Sequence, residues 1–126
     1  MLGLTQPIFE GAYVGFLNLE STQSTEWISV IPADFKDSRT GLAIPAGQCF
    51  GNLTIINVSN DTVYLRLREG LSSDPTDGEI PLTASAVISL NVQGSRGGAL
   101  TVLQVKKADI SNEVQFLATF NPVSIL

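Results

Sequence analysis

The sequence predicts an all-β fold, a single antiparallel β-sandwich that is jelly-roll-like and has an extended N-terminal segment and a C-terminal tail. Short runs rich in Val, Ile, Leu and Thr alternate with Gly, Asn, Asp and Ser, and such turn signals recur about every 8–12 residues. No segment of helical length keeps an apolar period of about 3.6 residues. The 126 residues form one domain, because two halves would each lack sufficient core.

The first fifty residues are expected to be the irregular part of the domain (1–50). Residues 12–19 and 27–31 read as strands, and Pro32 closes the second of them. Residues 42–47 read as an extended approach to a turn. The first dozen residues are expected to form an arm that reaches beyond the sandwich.

Residues 51–120 carry the core strands, beginning with a predicted β-hairpin. Residues 53–58 and 62–68 flank a polar link in which Asn60 and Asp61 suit a two-residue turn. Counting back from that turn pairs Val58 with Val63, Ile56 with Leu65 and Thr54 with Leu67 on a core face, and places Asn57, Tyr64, Arg66 and Arg68 on a wetter face.

Three further strands are expected in the second half of the chain. Apolar residues alternate in each of 86–92 and 114–120, and 100–105 forms the strand between them. Polar or glycine-rich loops separate these strands at 70–79, 94–98 and 108–112. Because the tail 121–126 is apolar, it is expected to dock on another surface rather than remain free.

The chain lacks the usual equipment of an enzyme, so no catalytic, cofactor-binding or metal-binding residue is predicted. It has no histidine, which normally serves as acid, base or ligand at neutral pH. Cys49 has no histidine to activate it and reads as a structural thiol. Glu10, Glu20 and Glu26 could form a hydrolytic carboxylate pair, but solvated acids are the better interpretation.

The loop 74–79, Asp-Pro-Thr-Asp-Gly-Glu, has three carboxylates that could bind calcium. Its spacing matches no complete EF-hand loop, so a solvated turn is the better interpretation. Among the aromatic residues, Tyr13, Trp27 and Tyr64 raise the possibility of stacking on sugars. Core or interface packing is favoured for Trp27, and Tyr64 is the better candidate for a contact residue.

The charge and the hydropathy of the chain limit the classes of molecule that it could bind. The net charge is −5, and the pair Lys106 and Lys107, expected at a strand end, is too small a cluster for nucleic acid. The lone cysteine and a start without a signal peptide favour synthesis in the cytoplasm, and no apolar run has membrane-spanning length. Hydrophobic residues make up 44% and charged residues 15%. This balance favours apolar surface covered by copies of the chain or by a larger assembly.

The hairpin sequence of residues 51–67, followed by Ile80-Pro81-Leu82 and the run 87–90, resembles small β-sandwich virion proteins of tailed bacteriophages, and is closest in type to capsid decoration (cement) proteins. The resemblance implies a homotrimer, made in the host cytoplasm, that binds the major capsid protein on the capsid exterior and stabilises the shell. The N-terminal arm and the tail would then clasp the capsid or be exchanged between subunits. The alternative is a tail, baseplate or receptor-binding module that binds glycans.

Overall fold

The computed structural model describes residues 13–19, 26–67, 80–92 and 100–123. These residues form nine β-strands and a single turn of 3-10 helix at Pro32–Asp34, in agreement with the low helix content predicted from the sequence. The strands are β1 (Tyr13–Leu19), β2 (Ile28–Val30), β3 (Lys36–Asp37), β4 (Gln48–Asn57), β5 (Val63–Arg66), β6 (Ile80–Leu82), β7 (Val87–Asn91), β8 (Leu103–Lys106) and β9 (Val114–Pro122).

The strands form two antiparallel sheets packed face to face. One sheet has five strands in the order β3-β1-β9-β4-β7, and the other has four in the order β2-β8-β5-β6. With the two-residue strand β3 set aside, the pairs β1·β9, β2·β8, β4·β7 and β5·β6 are nested, as in a long ribbon folded back on itself. Rolling this ribbon so that successive pairs alternate between the sheets gives the jelly roll. The predicted fold class is therefore confirmed.

The predicted hairpin between residues 53–58 and 62–68 is wrong. β4 lies in the five-stranded sheet and β5 in the four-stranded sheet, so residues 58–62 cross from one sheet to the other. The assigned faces of β4 are also reversed. Leu53 and Ile55 are buried in the core, whereas Val58 is 47% exposed.

The side chain of Asn57 explains both differences. It is fully buried, and its amide nitrogen donates to the carbonyl oxygens of Asp61 (2.7 Å), Leu82 (3.0 Å) and Thr83 (3.1 Å). Its amide oxygen accepts from the backbone N–H (3.0 Å) and the hydroxyl (2.6 Å) of Ser59. An inward-facing asparagine with these partners ends β4 and bends the chain towards the second sheet, because each buried polar group must find a partner.

A second set of hydrogen bonds ties the β8–β9 connection to the same end of the sandwich. The buried Asn112 donates from its amide to the Asp61 carboxylate at 2.9 Å. The backbone N–H of Val58 donates to the carbonyl of Glu113 at 3.0 Å. The connections β4–β5, β6–β7 and β8–β9, each of which crosses between the sheets, are thereby joined.

The core between the sheets is built on aromatic rings. Phe35, which follows the 3-10 turn, is fully buried and makes edge-on contacts with Phe50, Phe116 and Phe120 at ring-centroid distances of 5.6, 6.1 and 5.1 Å. Such edge-to-face pairs are favourable beyond the area they bury. With Ile44 also buried, the core extends well into the first fifty residues.

The alternation predicted for the last strands agrees with the structure. Val114, Phe116, Ala118 and Phe120 are all buried in β9. Residues 121 and 122 of the predicted tail continue this strand, and the backbone N–H of Val123 donates to the carbonyl of Gly47 at 2.9 Å. The predicted N-terminal arm, the loop 70–79, the turn 94–98 and tail residues 124–126 lie outside the described residues.

Replacing Asn57 is expected to destabilise the fold strongly. In Asn57→Ala the carbonyls of Leu82 and Thr83 lose their buried donor, which should lower the free energy of unfolding by about 2–4 kcal/mol. Asn52→Ala, on the exposed side of the same strand, is the matched control and should change it by less than about 0.5 kcal/mol. Chemical denaturation measures both, and equal losses in the two variants would contradict the role assigned to Asn57.

Candidate interaction surface

The five-stranded sheet turns one face to the core and the other outwards. Strand alternation and the residue pairing place the following residues on the outward side of β1, β9, β4 and β7: Val14, Phe16, Asn18, Gln115, Leu117, Thr119, Asn121, Cys49, Asn52, Thr54, Ile56, Val87, Ser89 and Asn91. None of these described residues is charged, and we call this set the uncharged face.

Five apolar side chains dominate the uncharged face. Val14 and Phe16 are each 46% exposed, Leu117 is 49% and Val87 is 59% exposed, and Ile56 is half-buried. The pairs Phe16–Leu117 and Ile56–Val87 lie directly opposite each other on neighbouring strands. The apolar residues therefore form a stripe over the four strands β1, β9, β4 and β7, although Thr54 lies directly opposite Leu117 and Gln115 directly opposite Ile56.

A cavity of about 380 Å³ opens beside this stripe. It is lined by Phe16, Leu17, Asn18, Ile56, Gln115, Phe116 and Leu117. Its floor is therefore made by β9, with walls from β1 and β4. The cavity gives the stripe a recess that can take an apolar side chain of another molecule.

The border of the uncharged face is different in character. Lys36 in edge strand β3 lies opposite Phe16 and is exposed. The outer edge of β3 is already paired, because Lys36 forms a β-bridge with Ala43 and the backbone N–H of Asp37 donates to the carbonyl of Leu42 at 2.7 Å. Lys36 places a charge at the β3 border of this face, and depletion of charge at the centre is a feature of protein–protein interfaces.

The outward side of the four-stranded sheet carries charge and aromatic rings instead. The guanidinium carbon of Arg66 lies 3.8 Å from the centroid of the Trp27 ring, and the ammonium of Lys106 lies 6.0 Å from it. Tyr64, 37% exposed, pairs directly with Lys106. The sequence predicts Arg66 on the wetter face of its strand, and the structure places it on that outward side. Its side chain nevertheless stacks on the half-buried Trp27 and is therefore only 7% exposed.

The other residues considered from the sequence are dispersed. Cys49 is half-buried in β4, and Tyr13 packs partly against the core. Glu26 is exposed just before β2, whereas Glu10, Glu20 and the acidic loop 74–79 lie outside the described residues. In the described part of the chain, no three side chains of His, Cys, Asp or Glu are grouped as a metal site would need. Nor does that part contain a helix of the length and apolarity required to cross a membrane.

Lys107 is a buried ionisable residue, and its surroundings are structural. The residue is 1% exposed, and its ammonium donates to the backbone carbonyls of Ile110 and Asn112, each at 3.2 Å. Burial lowers the pKa of Lys107, and the charge of Asp109 opposes that shift. Since its donors are committed to the β8–β9 connection, Lys107 stabilises this loop rather than serving as a catalytic amine.

Comparison with known proteins gives a likeness of fold. No protein-family model matches the chain, and no curated protein matches it. Two solved structures of the tobacco streak virus coat protein are similar. One is 9% identical, covers 93% of this chain and 91% of that chain, and has a TM-score of 0.47. A structure of the coat protein dimer is 9% identical, covers 93% and 90%, and has a TM-score of 0.49.

The topology itself defines the class to which the fold belongs. Double-sheet jelly rolls occur in viral capsid proteins and in lectin domains. The expectation of a β-sandwich of this type is confirmed by the strand order, whereas the resemblance to decoration proteins remains a prediction.

The pH dependence of stability should report the burial of Lys107. Because its pKa is lower in the folded than in the unfolded protein, the unfolded state binds more protons just below the usual lysine value of 10.5. The free energy of unfolding should therefore rise with pH through that interval. Denaturation of the wild type and Lys107→Met at alkaline pH measures the difference, with Lys106→Met as the exposed control. Identical pH slopes for wild type and Lys107→Met would contradict the assignment.

Proposed function

We propose that this chain is a non-enzymatic structural virion protein, a capsid decoration protein that binds the outside of a bacteriophage head as a homotrimer and stabilises the shell. The observation that carries the proposal is the uncharged face. A sheet face in contact with water normally carries polar and charged residues, whereas this one has no charge and exposes Phe16, Leu117 and Val87.

The uncharged face is assigned to the contact with the major capsid protein. Binding there would cover Phe16, Leu117 and Val87, each of which is about half exposed in the isolated chain. Apolar side chains at the centre of an interface supply most of its affinity, and uncharged polar neighbours such as Thr54 and Ser89 lose little when they leave water. The cavity beside Leu117 would receive a side chain of the shell.

The opposite sheet supports the orientation of the bound protein. Its outward side carries the exposed Lys106 and the half-buried Gln104, polar groups that are costly to remove from water without partners. It would therefore remain on the outside of the particle when the uncharged face binds the shell. The jelly-roll fold and the resemblance of residues 51–67 to decoration proteins agree with this function, as analogies of fold and pattern.

Single acidic substitutions on the uncharged face should weaken binding to the shell. Leu117→Asp and Phe16→Asp would each bury a carboxylate in the contact, which should weaken binding at least about tenfold. The measurement is co-sedimentation with heads assembled without this protein, together with the melting temperature of the decorated heads.

Leu42→Asp is the matched control for these variants. Leu42 is 69% exposed but lies in the loop between β3 and β4, away from the uncharged face. It should bind heads as the wild type does, and circular dichroism should show that all three variants are folded. Equal binding by Leu117→Asp and the wild type would overturn the assignment of this face.

The oligomeric state tests the trimer separately from the shell contact. Light scattering on a sizing column should give about 40 kDa, three times the chain mass of 13.4 kDa. If the uncharged face is reserved for the shell, Leu117→Asp should leave this mass unchanged. A monomer both in solution and on the heads would contradict the homotrimer while leaving the shell contact standing.

A further inference from the structure

The outward side of the four-stranded sheet holds a compact set of groups that the shell contact does not use. Arg66 covers one side of the Trp27 ring at 3.8 Å, and Lys106 lies 6.0 Å from the same ring. Tyr64 extends the aromatic surface across the neighbouring strand. We call Trp27, Tyr64, Arg66, Gln104 and Lys106 the cationic platform.

Two buried polar atoms in the cationic platform lack partners among the described residues. They are Nε of Arg66 and Oε1 of Gln104, and these two residues lie directly opposite each other on β5 and β8. The amide nitrogen of Gln104 is already used, since it donates to the hydroxyl of Ser29 at 3.2 Å. Unsatisfied buried donors and acceptors are rare in folded proteins, so these two atoms need an explanation, such as a bound water or ligand.

The charge of the cationic platform contrasts with that of the whole chain. The protein has a net charge of −5, yet two of its seven basic residues converge on one indole ring. Stacking on an aromatic ring stabilises a guanidinium group but does not neutralise its charge. A local positive site on an acidic protein selects for an anionic ligand that can approach closely.

We propose that the cationic platform binds an acidic saccharide. The sugar ring would stack on the exposed part of Trp27 and on Tyr64, as carbon-bound hydrogens of sugars do on aromatic rings. The carboxylate of the sugar would pair first with the exposed Lys106 and then with the part of Arg66 that remains accessible beside the Trp27 ring. Because Nε of Arg66 and Oε1 of Gln104 are buried in the unbound chain, the Gln104 side chain would have to rotate on binding before a sugar hydroxyl could reach them.

This binding is independent of the proposed attachment to the shell, because it uses the opposite side of the sandwich. A chain bound to a head through the uncharged face would present the cationic platform to the surroundings of the particle. Failure of either binding activity would therefore leave the other unaffected.

The single tryptophan of the chain makes the test specific, since all indole fluorescence comes from Trp27. The full-length protein is titrated with an oligosaccharide of galacturonate, and separately with its methyl ester, which keeps the rings but lacks the charge. The acid should change the fluorescence saturably, with a Kd of about 0.1–1 mM. The ester should bind at least about tenfold more weakly.

Three variants separate the contributions of charge. Arg66→Gln and Lys106→Gln should each weaken binding of the acid, Arg66→Gln by at least about tenfold. Since Lys106 is exposed, its variant remains informative even if removing the buried Arg66 impairs folding. Arg39→Gln removes the same charge from an exposed position after β3, and it should bind as the wild type does.

The outcomes decide the proposal in either direction. Loss of binding in the Arg66 and Lys106 variants, with the Arg39 variant and the fold unchanged, supports an acidic-saccharide site. Equal binding of acid and ester, or equal binding by all variants, would overturn it and leave Arg66 as a group that only positions Trp27. Absence of any response to the acid would overturn it as well.

Discussion

The hydrogen bonds of Asn57 are the constraint on which the rest of the structure depends. Asn57 stands at the last position of β4, where the chain leaves one sheet for the other, and its amide reaches carbonyls of the β6–β7 connection. Asp61, whose carbonyl also accepts from Asn57, accepts from Asn112 through its carboxylate and so adds the β8–β9 connection. One buried amide therefore coordinates three crossings between the sheets. Because these connections are distant in sequence, satisfying the buried amide of Asn57 helps to fix which strands become neighbours.

That topology also decides which side chains meet on the surface. Strands that are far apart in sequence, such as β1 and β9, become neighbours, and the exposed Phe16 and Leu117 then lie directly opposite each other. The same folding places Trp27 next to Arg66, although 39 positions separate them in the sequence. The two outward sheet faces differ sharply, one uncharged and one cationic. Each surface is a product of the strand order, since no single segment carries it.

Local patterns in the sequence were sufficient for the fold class and for several strands. The alternation of Val114, Phe116, Ala118 and Phe120 predicts directly which side of β9 is buried. The same reasoning gave the wrong strand pairing at residues 53–68, because a polar link between two alternating runs can form either a hairpin turn or a crossing between sheets. The deciding partners of Asn57 are carbonyls at positions 82 and 83, about 25 residues away. The uncharged face and the cationic platform could not be predicted from the sequence either, because the pairing of strands distant in sequence determines both.

The difference between the two outward sheet faces explains the low charge content of the chain. Charged residues make up 15% of the sequence, well below the quarter or so that is typical of globular domains. The outward sides of β1, β9, β4 and β7 contain none, so the deficit is concentrated on one sheet rather than spread over the described surface. A uniform deficit would favour unspecific aggregation, whereas a deficit on one face favours a single mode of contact. Since the exposed Lys106 opposes burial of the other sheet, the distribution of charge favours the uncharged face for contact with a partner.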